Sequence, residues 1–167
     1  NARTPRRLAS LASARLAVAR AAQRHAVTID VMIEIDVGQG RCGVADIPEA
    51  LALAGAISAY PEHLRLRGLQ AYHGGAQHRR SPAERQAAIV AAARIASACA
   101  AALRGAGHPC DEISGAGTGS YANELASGVY TEVQAGSYVL MDADYAANEP
   151  DARDPPLQQA LYVVATV

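Results

Sequence analysis

Thr28 to Gly40 reads TIDVMIEIDVGQG, and this stretch decides the fold. Its first ten residues are β-branched and nearly continuous in Ile and Val, the pattern of a strand buried on both faces, and Gly38-Gln39-Gly40 ends it. Asp46-Ile47-Pro48-Glu49 follows, giving an N-cap, an early proline and an acid three residues after the cap. Leu51, Ala54, Gly55 and Ser58 then recur at helical spacing up to Tyr60-Pro61. A helix therefore follows the strand.

Working outward, the same order repeats. Leu64 to Tyr72 reads as a strand ending in Gly74-Gly75, and Ser81-Pro82-Ala83-Glu84 as a capping box with proline at the first helical position. Ile89, Ala93, Ala96, Ala100 and Leu103 make one apolar helix face until Gly105, Gly107 and Pro109 stop it. A short strand, Asp111 to Ser114, a short helix, Tyr121 to Ala126, and a strand, Val129 to Gln134, come next. The last of these leads into Gly136-Ser137 and the apolar Tyr138 to Met141. Upstream, Pro5 to His25 reads as helix on propensity, with Arg15 to Ala19 open to a short-strand reading. The proline-rich residues 148–156 read as a linker, and 157–167 as the first strand of a further domain. Strand and helix thus alternate at steps of roughly 30 residues, which gives parallel strands with right-handed crossovers and helices outside. An open α/β sheet and part of a barrel are both allowed.

Composition narrows the function classes. The chain has 167 residues, half of them hydrophobic, with neither Phe nor Trp. A net charge of −1 argues against a nucleic-acid partner, and no window is expected to reach the ~18 apolar residues of a membrane span. Three cysteines without a C-x-x-C pair fit reduced thiols in a cytoplasmic protein. All fifteen basic residues are arginine, so the chain brings no lysine amine to catalysis. The first residue is Asn1, which suggests a start that was removed or an internal piece of a longer chain.

In either parallel architecture ligands lie beyond the carboxyl ends of the strands, and the unusual residues cluster there. Gly38-Gln39-Gly40-Arg41-Cys42-Gly43, Tyr72-His73-Gly74-Gly75-Ala76-Gln77-His78, Gly115-Ala116-Gly117-Thr118-Gly119-Ser120 and Gly136-Ser137-Tyr138 follow four consecutive strands. The third offers backbone N–H groups and two hydroxyls before a helix, which suits a phosphate, although tight turns alone would also use these glycines. It matches neither the dinucleotide fingerprint nor an ATP-binding loop. Imidazole can serve as a base at neutral pH, so His78 is the catalytic candidate with His73 behind it; a solvated loop histidine is the plain alternative. Tyr72 could present its ring to a planar ligand and Arg41 could donate to an anionic oxygen. His25, His63 and His108 read as structural, Cys42 as packing, and Asp142 and Asp144 as turn caps rather than metal ligands.

EIDVGQGRCGV (34–44), GLQAYHGGAQH (68–78), SGAGTGSY (114–121) and SGVYTEVQAGSYVLMDADY (127–145) together resemble the D-threonine aldolase and 3-hydroxy-D-aspartate aldolase group. The resemblance covers about residues 26 to 167. It implies the later part of a parallel (β/α)8 TIM-type barrel of the alanine racemase N-terminal domain type, with the start of a C-terminal β-domain. Residues 1–147 would be a partial pyridoxal-phosphate-binding barrel, 148–156 a linker and 157–167 the first β-domain strand. It further implies that Arg41 lies by the cofactor's phenolic oxygen, that Tyr72 lies against its ring, and that Gly117, Thr118, Gly119, Gly136 and Ser137 hold its phosphate. His78 would take the proton from the β-hydroxyl of a β-hydroxy-D-amino acid as the substrate splits into glycine and an aldehyde.

In such enzymes the anchoring lysine precedes this region and the ligands of a divalent metal follow it, so this chain is expected to be inactive alone. No metal ligand is assigned within it. The family's dimers suggest a homodimer for the full-length protein. A D-serine dehydratase-like ammonia-lyase and a non-catalytic phosphate-ligand-binding domain are the competing readings.

Overall fold

The computed structural model describes residues 17–165. Four parallel strands, β1 (Ile29–Glu34), β2 (Leu64–Gln70), β3 (Glu112–Gly115) and β4 (Glu132–Val133), lie side by side in chain order. Residues 17–24 are helical (α1), and α2 (Ile47–Ser58), α3 (Pro82–Gly105), α4 (Tyr121–Ser127) and α5 (Ala143–Ala146) follow. Strand order that never reverses is the order of a barrel arc; a doubly wound sheet reverses at a switch point. The strand reading of Arg15 to Ala19 fails where it can be seen, since 17–19 are helical, and the rest of that stretch lies outside the described residues.

β1 corrects the reading of a strand buried on both faces. Ile33 and Ile35 are buried, whereas Asp30 is exposed and Met32 and Glu34 are half-buried. Asp30, Glu34 and Asp36, all at even positions, set a two-residue period that the Ile and Val run masked. The apolar face joins Leu64, Leu66, Leu69 and Ile113 beneath Ala50, Ala54 and Ile57 of α2 and Ala92, Ala96, Ala100 and Leu103 of α3. The opposite face is polar and internally bonded. Arg65 pairs with Asp30, Arg67 with Glu112, and Gln134 bonds both Gln70 and Ser114, whose hydroxyl donates to Glu132 at 2.7 Å.

β2 carries an irregularity, because Val31 pairs with Leu66 but Met32 pairs with Gly68. The displaced strand runs so close to β3 that a Cβ on Gly68 would overlap the Glu112 carbonyl oxygen, so only glycine fits. β4 is shorter than expected, although Thr131 N–H to Ile113 O at 2.9 Å and Gln134 N–H to Gly115 O at 2.7 Å extend its tie to β3.

Asp46 caps α2 as expected, accepting from Glu49 N–H at 2.9 Å, while Glu49 reaches back to Ala45 N–H at 2.8 Å. Ser81 precedes α3 but makes no side-chain cap, a correction to the capping-box reading. The turn is organised instead by Arg85, which is buried and donates to Arg79 O and Arg80 O, both at 2.8 Å. Contrary to expectation, α3 is long and apolar enough to cross a membrane by length and composition. Its apolarity is largely alanine, and one face, Ile89 to Leu103, is packed into the core.

Residues 148–156 carry no regular structure but are docked: Glu149 N–H donates to Arg80 O at 3.0 Å, and Arg153 reaches Asn123 Oδ1 at 2.7 Å. Residues 157–165 form no strand, and Tyr162, Val163 and Val164 are exposed.

Candidate active site

The rim beyond the carboxyl ends of the strands is tied together loop by loop. Gln39, after β1, accepts from Gly74 N–H at 2.8 Å. Gln77, after β2, donates to Ser120 Oγ at 2.6 Å and accepts from Gly119 N–H at 2.9 Å. Thr118 Oγ1, after β3, accepts from Tyr138 N–H at 3.0 Å, after β4. The four glycine-rich loops therefore do converge.

Their glycines serve two different purposes. Around Arg41 they are conformational, with φ of 123° at Gly38, 69° at Gly40 and 95° at Gly43. In the loop after β3 the left-handed residue is Ala116, at φ 63°, and the glycines give clearance. A Cβ would strike the Tyr130 ring from Gly115, the Gln77 carboxamide from Gly117 and the Gln77 carbonyl from Gly119. The amides of Gly117, Thr118, Gly136 and Ser137 donate to nothing among the described residues. Gly119 differs from them, because its amide is already spent on Gln77.

Beneath this loop lies a buried acid. Ser120 Oγ donates to Glu124 Oε1 at 2.8 Å, and Glu124 Oε2 has no partner among the described residues. Burial pushes this carboxyl up to about 7, against a smaller opposing effect of the Ser120 hydrogen bond.

Tyr72 stands two residues past the end of β2 and is half-buried. Burial raises its hydroxyl, Tyr145 adds to this, and the Arg41 guanidinium pulls it down, which places Arg41 and Tyr145 in one electrostatic neighbourhood with Tyr72. His78 is exposed, with Nδ1 2.6 Å from Asp144 Oδ2 and its ring centroid 5.0 Å from that of Tyr145. His73 is buried, and burial first, then Arg79, holds it below the ordinary histidine range. Cys42, read as packing, is exposed, whereas Cys99 and Cys110 are buried thiols.

A cavity of about 440 Å³ opens beside the loop after β3, lined by Thr118, Gly119, Tyr121, Tyr145, the 148–150 and 154–157 segments, and Arg85. Arg41, Tyr72, His78, Gly136 and Ser137 do not line it. Sequence reasoning missed Gln77, Glu124, Arg85 and the tie between Asp144 and His78. Two of these had a local signal: Glu124 stands one helical turn after Ser120, and Arg85 stands one turn before Ile89 on the apolar face of α3.

Residues 7–144 match the model of the alanine racemase N-terminal domain. Over 152 residues the chain is 51% identical to a D-threonine aldolase of Arthrobacter sp, covering 90% of this chain and 39% of that protein. It is 40% identical to a 3-hydroxy-D-aspartate aldolase of Paracoccus denitrificans (strain Pd 1222), again over 39% of the relative and 88% of this chain. The crystal structure of a D-threonine aldolase from Filomicrobium marinum superposes with a TM-score of 0.80 at 43% identity, covering 85% of this chain and 37% of that one. The chain thus spans about two fifths of the length of the curated relatives it matches.

Proposed function

Because the chain belongs to the alanine racemase N-terminal domain family, we propose that it supplies the cofactor-binding part of a pyridoxal-phosphate-dependent aldolase. The substrates would be β-hydroxy-D-amino acids, D-threonine or 3-hydroxy-D-aspartate, cleaved to glycine and an aldehyde. The observation that carries this reading is the pair of tied loops with four unspent amides. A phosphate monoester presents only acceptor oxygens, and such an anion is met by backbone N–H groups at tight turns.

Gly117, Thr118, Gly136 and Ser137 would hold the phosphate through their amides, with the Thr118 and Ser137 hydroxyls beside them. Gly119 would act by clearance, letting the loop close over Gln77. Tyr72 would lie against the ring and Arg41 by the phenolic oxygen, and the lowering effect of the Arg41 guanidinium on the Tyr72 hydroxyl is in keeping with the two acting in one site. When bound, pyridoxal phosphate supplies an electron sink for the breaking Cα–Cβ bond.

The protein's own task lies at oxygen. The β-hydroxyl must lose its proton as it becomes a carbonyl, and His78 would take that proton. A divalent metal belongs to the same reading. No cluster of three or more His, Cys, Asp or Glu able to hold one occurs among the described residues, so no step is assigned to it here. The three free thiols are in keeping with a cytoplasmic setting.

The test is to express the complete reading frame that contains this chain and to assay aldehyde release from D-threonine and 3-hydroxy-D-aspartate, with the L isomers as controls. Aldehyde from the D isomers is expected, together with a fall in kcat of at least about 100-fold for His78→Ala. An oxo acid and ammonia in place of the aldehyde would overturn the reading in favour of dehydration.

A further inference from the structure

The carboxylate that meets His78 is itself held on several sides. Asp144 Oδ2 lies 2.6 Å from His78 Nδ1. Arg80 Nη2 takes the other oxygen, Oδ1, while Arg80 Nη1 donates to the Asp144 carbonyl at 2.6 Å and to Asn148 Oδ1 at 2.8 Å. Asp142 caps α5 by accepting from the amides of Asp144 and Tyr145 at 3.0 and 2.9 Å. The turn that presents Asp144 is therefore fixed at its backbone as well as at its side chain. Asp142 was read as a turn cap and is one; Asp144 was read the same way and is instead engaged by the loop after β2.

A neutral imidazole has one N–H and one lone pair, and the hydrogen bond made by one nitrogen sets the role of the other. An ionised carboxylate only accepts. With Asp144 at Nδ1, that nitrogen carries the proton and Nε2 carries the lone pair. We propose that Asp144 is a positioning residue which, gripped by Arg80, locks His78 in the Nδ1–H form and leaves Nε2 as the atom that receives the substrate's β-hydroxyl proton. The proposal rests on the reading of His78 as the base. When Nε2 takes the proton both ring nitrogens become donors, and the cation so formed faces the Asp144 carboxylate. The proton stays on the ring, because Arg80 holds the Asp144 carboxyl below the usual carboxylate range.

The lock is read without turnover. In the complete protein labelled with 15N-histidine, nitrogen chemical shifts distinguish the two tautomers, and His78→Gln identifies the signals of this ring. The wild type is expected to show Nδ1–H. Asp144→Asn and Asp144→Ala, both at an exposed position and both checked for folding by circular dichroism, should shift the ring toward Nε2–H. Their kcat should fall about 10- to 100-fold with KM changed less than about threefold, and Asp144→Glu should recover part of both effects. An Nε2–H ring in the wild type, an unchanged tautomer in Asp144→Ala, or full kcat beside a shifted tautomer would each overturn the proposal. Full activity in His78→Ala would overturn the base reading instead, an outcome separate from the lock that the nitrogen shifts report.

Discussion

Gln77 and Ser120 are joined by a 2.6 Å hydrogen bond across 43 positions of the chain. Gln77 is completely buried, and its carboxamide also donates to His73 O at 3.3 Å and accepts from Gly119 N–H at 2.9 Å. Ser120 passes the connection on to Glu124. The shape of the proposed phosphate loop is thus set by a residue of the neighbouring loop, with Gly117 giving room to the Gln77 side chain and Gly119 to its backbone carbonyl.

Replacing Gln77 by Ala should therefore do more than remove a side chain. It empties the space against Gly117 and leaves the Gly119 amide without its partner. The expected cost is about 2–4 kcal/mol from cavity and orphaned donor together. Urea unfolding measures this, and a weaker dissociation constant for pyridoxal phosphate should accompany it. An unchanged unfolding midpoint would show that the amide tie carries no load.

Much of the architecture was legible because it rests on local pattern. Asp46, the apolar stripe of α3 and the glycines beyond each strand are signals within one or two turns of chain. The convergence of the four glycine-rich loops was legible for the same reason. The tie between Gln77 and Ser120 could not be found this way, since nothing local to Gln77 marks a partner 43 residues on. The glycines at 117 and 119 were read as donors and turn-makers, which misses their part as clearance. β1 was misread because its Ile and Val run outweighed Asp30 and Glu34, which share one face of the strand.

Two glycine substitutions should have opposite signs. Gly68→Ala drives a methyl into the Glu112 carbonyl where β2 and β3 pair, and neither backbone can yield without breaking the register. A loss of about 3 kcal/mol is expected. Gly55 in α2 has nothing within 4 Å of a built Cβ, so Gly55→Ala should stabilise by about 0.4–1 kcal/mol through helix propensity and a less flexible unfolded chain. Chemical denaturation of both variants checks the pair, and equal midpoints would contradict it.

Glu124 predicts a pH dependence of stability. Its carboxyl ordinarily titrates at 4.5 and burial raises it to about 7 in the folded chain. Below pH 4.5 it is protonated whether the chain is folded or not, and it imposes no penalty. Between pH 4.5 and 7 the unfolded chain ionises while the buried carboxyl keeps its proton, so stability falls progressively, by on the order of 3 kcal/mol in full, and levels off above pH 7 once the folded state ionises too. Glu124→Gln keeps the shape and removes the proton equilibrium. Its unfolding midpoint should be nearly flat between pH 5 and 8.5, whereas the wild type declines up to about pH 7 and then levels off; parallel pH profiles for the two proteins would reject the assignment.

Arg85 makes the segment after α5 part of the fold. Its guanidinium is buried and donates to three carbonyls, those of Arg79, Arg80 and Glu149, the last at 2.7 Å. The first two belong to the loop that leads into α3 and the third to the connecting segment, so one side chain fastens 149 to that loop. Arg85→Met keeps most of the apolar stem but leaves the Arg79 and Glu149 carbonyls unmatched and the Arg80 carbonyl with the Glu149 amide alone. Arg85→Lys supplies a point charge that cannot span them. Both should let the segment open more often. Arg153 within it is held by Asp151 and Asn123, and opening exposes its peptide bond to trypsin. Losing about 1–2 kcal/mol of local stability raises the open population roughly 5- to 30-fold. Cleavage after Arg153, followed by mass spectrometry under native conditions, should accelerate by that factor while cleavage inside α3 does not. Equal rates at both places would mean that the segment is held by Asn148, the Glu149 amide and Arg153 without Arg85.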